Sequence, residues 1–141
     1  MPEEKYFFRL FYFIQYNKMN MKLEKKNLQN KFSLINDYYK PRIAGELNDN
    51  YVKLVKIKGE FVWHHHEKED ELFLVIKGIL QMKLRDKDIE VKEGEFIIIP
   101  KGVEHKPVAD DEVHLLLIEP KTTLNTGNVE NEKTVNNPDW I

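Results

Sequence analysis

The spacing of apolar residues changes at about residue 51. In the preceding lead-in, residues 21–36 carry Leu28, Phe32 and Ile35 at helical spacing. From Tyr51 onward, valine, isoleucine, leucine and phenylalanine fill short runs that are separated by turn residues every several positions. This pattern predicts β-strands rather than helices. The predicted strands cover residues 51–58, 61–66, 71–77, 79–85, 88–92, 95–99, 103–108 and 112–118.

Many short strands without helices between them indicate an all-β sandwich or barrel. The chain has 141 residues, which is enough for one domain with a core but short for two. We therefore expect a lead-in segment at 21–50, a barrel at 51–118 and a C-terminal tail at 119–141 that packs on the barrel or on a partner. The tail is polar until its closing Trp140 and Ile141, a pair that predicts anchoring in an apolar groove.

Residues 1–20 are a possible extension outside the core. Residues 6–14 are aromatic and apolar, but Arg9 interrupts them and they fall short of the roughly 20 apolar residues that a membrane span requires. The start of the chain also lacks the basic residues and the small-residue cleavage site of a secretory signal. Two hypotheses remain: a translation extension without a role in any site, or an aromatic arm that packs on a partner subunit.

The charge balance excludes some classes of partner. Lys and Arg number 22 against 24 Asp and Glu, for a formal net charge of −2, so there is no electrostatic footprint for nucleic acid or an anionic membrane. The chain has no cysteine, which excludes disulfides, thiolate metal sites and thiol nucleophiles. This composition fits the reducing cytoplasm, where we expect the protein to act.

Four side chains stand out as candidate metal ligands: His64, His66, Glu71 and His105. Successive side chains of a strand point to opposite faces, so His64 and His66 should project together and His65 should point away. Neutral imidazole is the commonest protein ligand for a transition metal, and a carboxylate supplies negative charge. The sequence therefore predicts a site for one divalent ion.

Glu71 is the preferred carboxylate among several acidic neighbours. It begins an apolar run, where a buried carboxylate must be paired or metal-bound. Glu67, Lys68 and Glu69 are interpreted instead as a solvated turn. His65 and His114 are expected to be structural, because their positions give them no partner.

The first group of these residues resembles a signature motif of the cupin superfamily. That motif runs from a glycine and spacer to His-x-His, three or four residues, Glu, six residues and Gly. Here His64-x-His66, four residues, Glu71, six residues and Gly78 match it. The leading Gly59 stands four residues before His64 rather than the usual five.

The second group resembles the other cupin motif, which runs Gly, five residues, Pro-x-Gly, two residues and His. Gly94, Pro100, Gly102 and His105 match it without a gap. The family often has Asn at the position that Ala109 occupies here, a difference that touches a turn contact and no ligand position.

The resemblance implies a double-stranded β-helix, or jelly-roll, with Mn, Fe, Ni, Co or Zn at the four ligand positions. It also implies a homodimer and a small-molecule substrate or ligand, with an anionic one as an option. Small cupins include dioxygenases, isomerases and binding modules without turnover, so an enzyme and a sensing module are both open. The sequence assigns no catalytic residue, because the predicted interior is apolar. That interior consists of Val62, Phe73, Val75, Met82, Phe96 and residues 97–99.

Overall fold

The computed structural model describes the backbone of residues 2–141 and the side chains of residues 4–17 and 23–141. Short antiparallel strands dominate this part of the chain. The elements are α1 (Pro2–Lys22), α2 (Leu28–Phe32), β1 (Arg42–Leu47), β2 (Asn50–Glu60), β3 (Glu71–Lys77), β4 (Leu80–Leu84), β5 (Asp88–Val91), β6 (Phe96–Ile99) and β7 (His105–Pro120).

The strand β7 organises the sheet. Its second half lies between β2 and β3, and its first half pairs with β2 and β4. β1 and β6 form the outer strands of the main order β1-β2-β7-β3-β6, and β5 joins through β4. The strands close into a β-barrel of the jelly-roll type, which confirms the predicted all-β fold.

β7 is one strand where the sequence predicted two, at 103–108 and 112–118. Residues 110–112 bulge outward opposite the single residue Lys58 of β2. The two aspartates that indicate a turn in the sequence therefore mark a bulge. The bulge lies where β7 changes its second partner from β4 to β3.

Two other strand predictions need correction. Residues 61–66 are not a regular strand; within them His64 makes an isolated bridge to His105. β1 was not predicted, and it lies inside the segment expected to be lead-in. Its short apolar stretch is interrupted by Gly45, where the register with β2 also shifts.

The core fills the barrel interior. Val75, Leu80 and Met82 are fully buried there, as the alternation of β3 and β4 requires. Phe96 was predicted to lie inside but is 62% exposed, and Ile98 is 51% exposed. β6 is an edge strand of four successive apolar residues, so its sequence has no alternation from which to identify the inward face.

Both termini lie against or outside this barrel. The side chains of residues 4–17 of α1 are exposed. The rest of the predicted extension, Met1 and the side chains of residues 2–3 and 18–20, lies outside the described residues, as do the side chains of residues 21–22. No described helix is long and apolar enough to cross a membrane. At the other end, Ile141 packs against the buried cluster of Phe32, Ile35, Ala44 and Leu54, and Trp140 meets the Tyr51 ring edge-on at 5.8 Å.

Candidate metal centre

The structure brings the four predicted ligand residues together. His64 and His66 lie between β2 and β3, Glu71 begins β3 and His105 begins β7. One ligand atom from each residue lies within 4.8 Å of the other three, and all four side chains are buried. His105 Nε2 lies 4.0 Å from Glu71 Oε2.

Backbone hydrogen bonds join the segments that carry the histidines. The backbone N–H of His64 donates to the carbonyl of His105 at 3.1 Å, and that of His105 donates back at 2.9 Å. Gly102 N–H donates to the carbonyl of His66 at 2.7 Å, and Lys101 N–H donates to Asp70 Oδ1 at 2.8 Å. The Pro-x-Gly turn before His105 is thus bound to the loop that carries His66.

The hydrogen bonds of the rings leave nitrogen lone pairs directed at the cluster. Nδ1 of His64 donates to the carbonyl of Val62 at 2.8 Å, and Nδ1 of His105 donates to that of Val103 at 2.9 Å. Each ring therefore keeps Nε2 as its unprotonated nitrogen, the form that binds a metal.

Two buried nitrogens in the cluster have no hydrogen-bond partner among the described residues: Nε2 of His66 and Nε2 of His105. Nε2 of His66 lies against Oε1 of Glu71. Buried polar atoms are normally paired. A cation between these atoms would satisfy them, so the donor set fits a divalent metal ion.

The pKa values of two rings favour the neutral ligand form. Burial and the neighbouring His105 lower the pKa of His64 to about 4. Burial also lowers the pKa of His105. For His66, burial acts in the same direction, but the adjacent Glu71 carboxylate outweighs it and raises the pKa.

The remaining histidines and the acidic turn lie outside the cluster. The ring of His114 stacks on Phe32 with centroids 4.6 Å apart and lies 2.8 Å from a carboxylate oxygen of Glu112. Glu67 is exposed, as expected for a solvated turn, and His65 lies 4.0 Å from it.

A cavity opens beside the cluster. His64 and Glu71 form part of its wall, and so does Glu119. The rest is mainly apolar, with side chains such as Ile57 and Phe73. A small molecule in this space would lie next to any ion that the cluster held.

The sequence reasoning missed a buried ion pair at this cavity. Lys53 Nζ donates to Glu119 Oε1 at 2.7 Å, and each residue is only 2% exposed. Burial and the charge of Glu71 raise the pKa of Glu119 to about 7, although Lys53 opposes the shift. The burial of Glu119 could have been predicted from strand alternation, because Glu119 lies on the same inward face of β7 as Leu115 and Leu117.

The C-terminal tail packs against the edge of the site. His65 N–H donates to Asn128 Oδ1 at 2.9 Å, and Asn128 N–H donates to the carbonyl of His65 at 3.1 Å. The preceding residue, Gly127, has a φ of +56°. A Cβ at this position would overlap the carbonyl of His65 and lie 3.1 Å from His64 Cδ2. Only glycine fits this approach without a shift of the backbone.

Comparison with known proteins agrees with this fold. Residues 51–119 match the cupin domain family. A cupin-2 domain containing protein from Shewanella frigidimarina has a solved structure with a TM-score of 0.69. It is 48% identical to this chain and aligns with 73% of this chain and 99% of its own.

Two curated relatives are similar over shorter stretches. An uncharacterised Bacillus subtilis protein, YdbB, is 44% identical over 62 residues, or 43% of this chain and 55% of its own. The 3-hydroxyanthranilate 3,4-dioxygenase of Xenopus tropicalis is 28% identical over 78 residues, or 50% of this chain and 28% of its own. The matches thus span between about a quarter and about half of the length of these relatives.

Proposed function

This chain belongs to the cupin superfamily, and we propose that His64, His66, Glu71 and His105 bind one divalent transition-metal ion. The observation that carries the proposal is the buried cluster itself, with two ring nitrogens that lack a partner among the described residues. Leaving such an atom unpaired costs about 1–3 kcal/mol. An ion at the centre of the cluster would remove that cost for Nε2 of His105 and would also bind Nε2 of His66, which lies against Glu71.

The donor set decides which metals would keep free coordination positions for a further ligand. Three neutral imidazoles and one carboxylate leave a divalent ion near one net positive charge. Zinc commonly takes four ligands and would be closed by this set, whereas Mn, Fe, Co and Ni accept up to about six and would keep positions for a ligand. When bound, such an ion supplies Lewis-acid polarisation of an oxygen ligand.

The first candidate activity is a dioxygenase-type or isomerase-type reaction on a small oxygen-rich substrate. The cavity lies beside two of the proposed ligands, His64 and Glu71, and its apolar side chains, including Ile57 and Phe73, would exclude water. An anionic oxygen on the substrate suits the residual positive charge. The partial similarity to a dioxygenase supports this class.

The second candidate is a binding or sensing module that holds a small ligand without turnover. The observation in its favour is the pairing of Glu119 with Lys53. Glu119 is the one acid of the described cavity wall outside the proposed ligand set, and its Oε1 already accepts a hydrogen bond from Lys53.

Metal binding is tested with protein purified without a histidine tag. Elemental analysis should find about one ion per chain. His64→Ala and His105→Ala should each lower the affinity for Mn²⁺ or Ni²⁺ by at least about tenfold. The matched control is His65→Ala, which removes an imidazole beside the cluster and should keep the affinity. If His64→Ala binds as tightly as the parent, the coordination is wrong.

The two activities are separated by turnover. Oxygen uptake and product formation are measured across a panel of diketones, catechols and keto-sugars with Fe, Mn or Ni loaded. Turnover supports the enzyme. A thermal shift with one of these compounds and no product supports the binding module.

We also infer a cytoplasmic homodimer. Phe96 and Ile98 are exposed on the edge strand β6, and an unprotected apolar edge is a surface on which a second copy can pair. The aromatic side chains of α1 are a further exposed surface. Deleting residues 1–20 and measuring mass in solution, solubility and metal content decides whether α1 contributes; loss of metal would contradict both hypotheses for this segment.

A further inference from the structure

The cavity beside the metal centre has a second polar contact point, at Glu119. This side chain and the ligand residue Glu71 both line the cavity. Leu72 of β3 pairs with Ile118 of the antiparallel strand β7. Glu71, just before Leu72, and Glu119, just after Ile118, therefore lie side by side and point to the same side of the sheet. A small molecule that reaches the metal would therefore also reach Glu119.

An ion pair at this position is poorly explained by stability alone. Lys53 and Glu119 are each 2% exposed, and removing two charges from water offsets most of the attraction between them. Apolar side chains of similar volume commonly serve the fold as well or better. The pair instead holds a carboxylate in a fixed orientation in the wall of the proposed ligand cavity.

We propose that Glu119, oriented by Lys53, accepts a hydrogen bond from the ligand that is bound at the metal centre. The cavity then selects small molecules that carry a hydroxyl, amine or N–H donor beside the oxygen that binds the metal. This inference rests on the proposed function, because it requires an ion at the cluster. Lys53 is the positioning residue of the pair.

The charges around the cavity support this ligand class. Above pH 7, where its carboxylate is ionised, Glu119 has no proton to donate and can only accept a hydrogen bond. Lys53 occupies one of its oxygens at 2.7 Å. A second anionic group on the ligand would face the charges of Glu119 and Glu71, whereas a neutral donor would meet an acceptor within a mainly apolar wall.

The test uses cobalt-loaded full-length protein and two matched probes. Acetohydroxamic acid and N-methylacetohydroxamic acid both bind metals through two oxygens, but only the first retains an N–H donor. Dissociation constants are measured at pH 8, where Glu119 is ionised, from the change in the visible spectrum of cobalt. We expect the parent to bind acetohydroxamic acid about tenfold more tightly, since hydrogen bonds to charged groups are the stronger ones.

The variants remove the acceptor and keep the metal. Lys53→Met with Glu119→Leu replaces the pair by apolar residues and should bring the two probes to within about twofold of each other. Glu119→Gln removes the charge with little change of shape and should lower the preference at least about threefold. The control is Glu46→Gln with Lys121→Met, which removes an ion pair of 3.0 Å that does not line the cavity, and the preference should stay.

The outcomes separate this inference from the proposed function. A parent that does not bind cobalt overturns the metal centre and this inference with it. Cobalt binding with the same preference in parent and double variant overturns only the role of Glu119. If the double variant does not fold, Glu119→Gln decides in the same way. A loss of cobalt affinity of more than about tenfold in Glu119→Gln would make Glu119 a metal ligand and also overturn the inference.

Discussion

Two regions of the barrel interior are built by the same strands but differ in chemistry. The polar region contains Lys53, His64, His66, Glu71, His105 and Glu119. The apolar region contains Val75, Leu80, Met82, Val91 and Val113. On β3 the change from one to the other takes four residues, from Glu71 to Val75, and both residues point inward.

The difference shows what a buried polar group needs in order to be tolerated. In the apolar region, side chains are stabilised by removal from water and by close packing. In the polar region each charge has a specific partner: Glu119 has Lys53, and Glu71 has the imidazole of His66 beside it. The apolar region should therefore tolerate apolar changes that conserve volume, and the polar region should tolerate only paired changes.

The largest effect is expected when one partner of the buried pair is removed. Lys53→Met leaves the carboxylate of Glu119 buried and unpaired, which should lower the free energy of unfolding by about 3–5 kcal/mol. Urea unfolding of the chelated protein at pH 8 measures it. The double variant with Glu119→Leu should recover most of the loss. A double variant as unstable as the single one would contradict the view that the polar region tolerates paired changes.

In the apolar region, truncation should cost about 2–5 kcal/mol without such a rescue. Met82→Ala removes a side chain with no exposed surface and leaves a cavity. Met82→Leu keeps the volume and should cost less than about 1.5 kcal/mol. Metal affinity should be unchanged in both. A change of tenfold or more in Met82→Leu would show that the two regions are coupled.

The polar region should also make the chelated protein sensitive to acid. The pKa of His64 is about 4 in the folded protein against an ordinary value of 6.5, so between these values only the unfolded chain takes up the proton. The contribution of His64 is full above pH 6.5 and is lost as the pH falls toward 4, by about 3 kcal/mol. Glu119 acts in the opposite direction, because its pKa is raised to about 7 in the folded protein. Thermal unfolding at several pH values measures it. His64→Asn should lose less stability than the parent between pH 6.5 and pH 4, whereas Met82→Leu should keep the slope of the parent.

The smallest effect is expected where the tail meets the polar region. Gly127→Ala places a methyl group against the carbonyl of His65 at a positive φ, so we expect a loss of about 1–3 kcal/mol and weaker metal binding. Gly94→Ala is the matched control, because it has a φ of +79° and no atom within 4 Å of its Cβ. Equal effects at the two positions on both stability and metal affinity would show that the contact with His65 is unimportant.

The cluster at the site was predictable because turns set its geometry locally. The Pro-x-Gly turn before His105 uses Gly102, with a φ of +83°, and its N–H binds the loop of His66. Such turns have clear sequence signals. The spacing of His64 and His66 likewise places both rings on one side even though residues 61–66 are not a regular strand.

Features that depend on long-range pairing were not predictable in the same way. Glu119 is an ordinary acidic residue at the end of an apolar run until Lys53, 66 positions earlier, is placed beside it. Phe96 was assigned to the interior because nothing local shows that β6 is an edge. The aspartates at 110 and 111 predict a turn equally well whether the chain reverses there or bulges.

That bulge has a consequence for how the two ends of β7 are coupled. Three residues of β7, 110–112, stand opposite one residue of β2, so the bulge adds two residues to β7. Because side chains alternate between the two faces of a strand, adding two residues leaves both His105 and Glu119 pointing inward. Deleting one residue there would reverse the parity and turn one of the two side chains toward solvent. Deleting two residues would preserve the alternation. The bulge can therefore change length only by an even number of residues if His105 and Glu119 are both to point into the barrel interior.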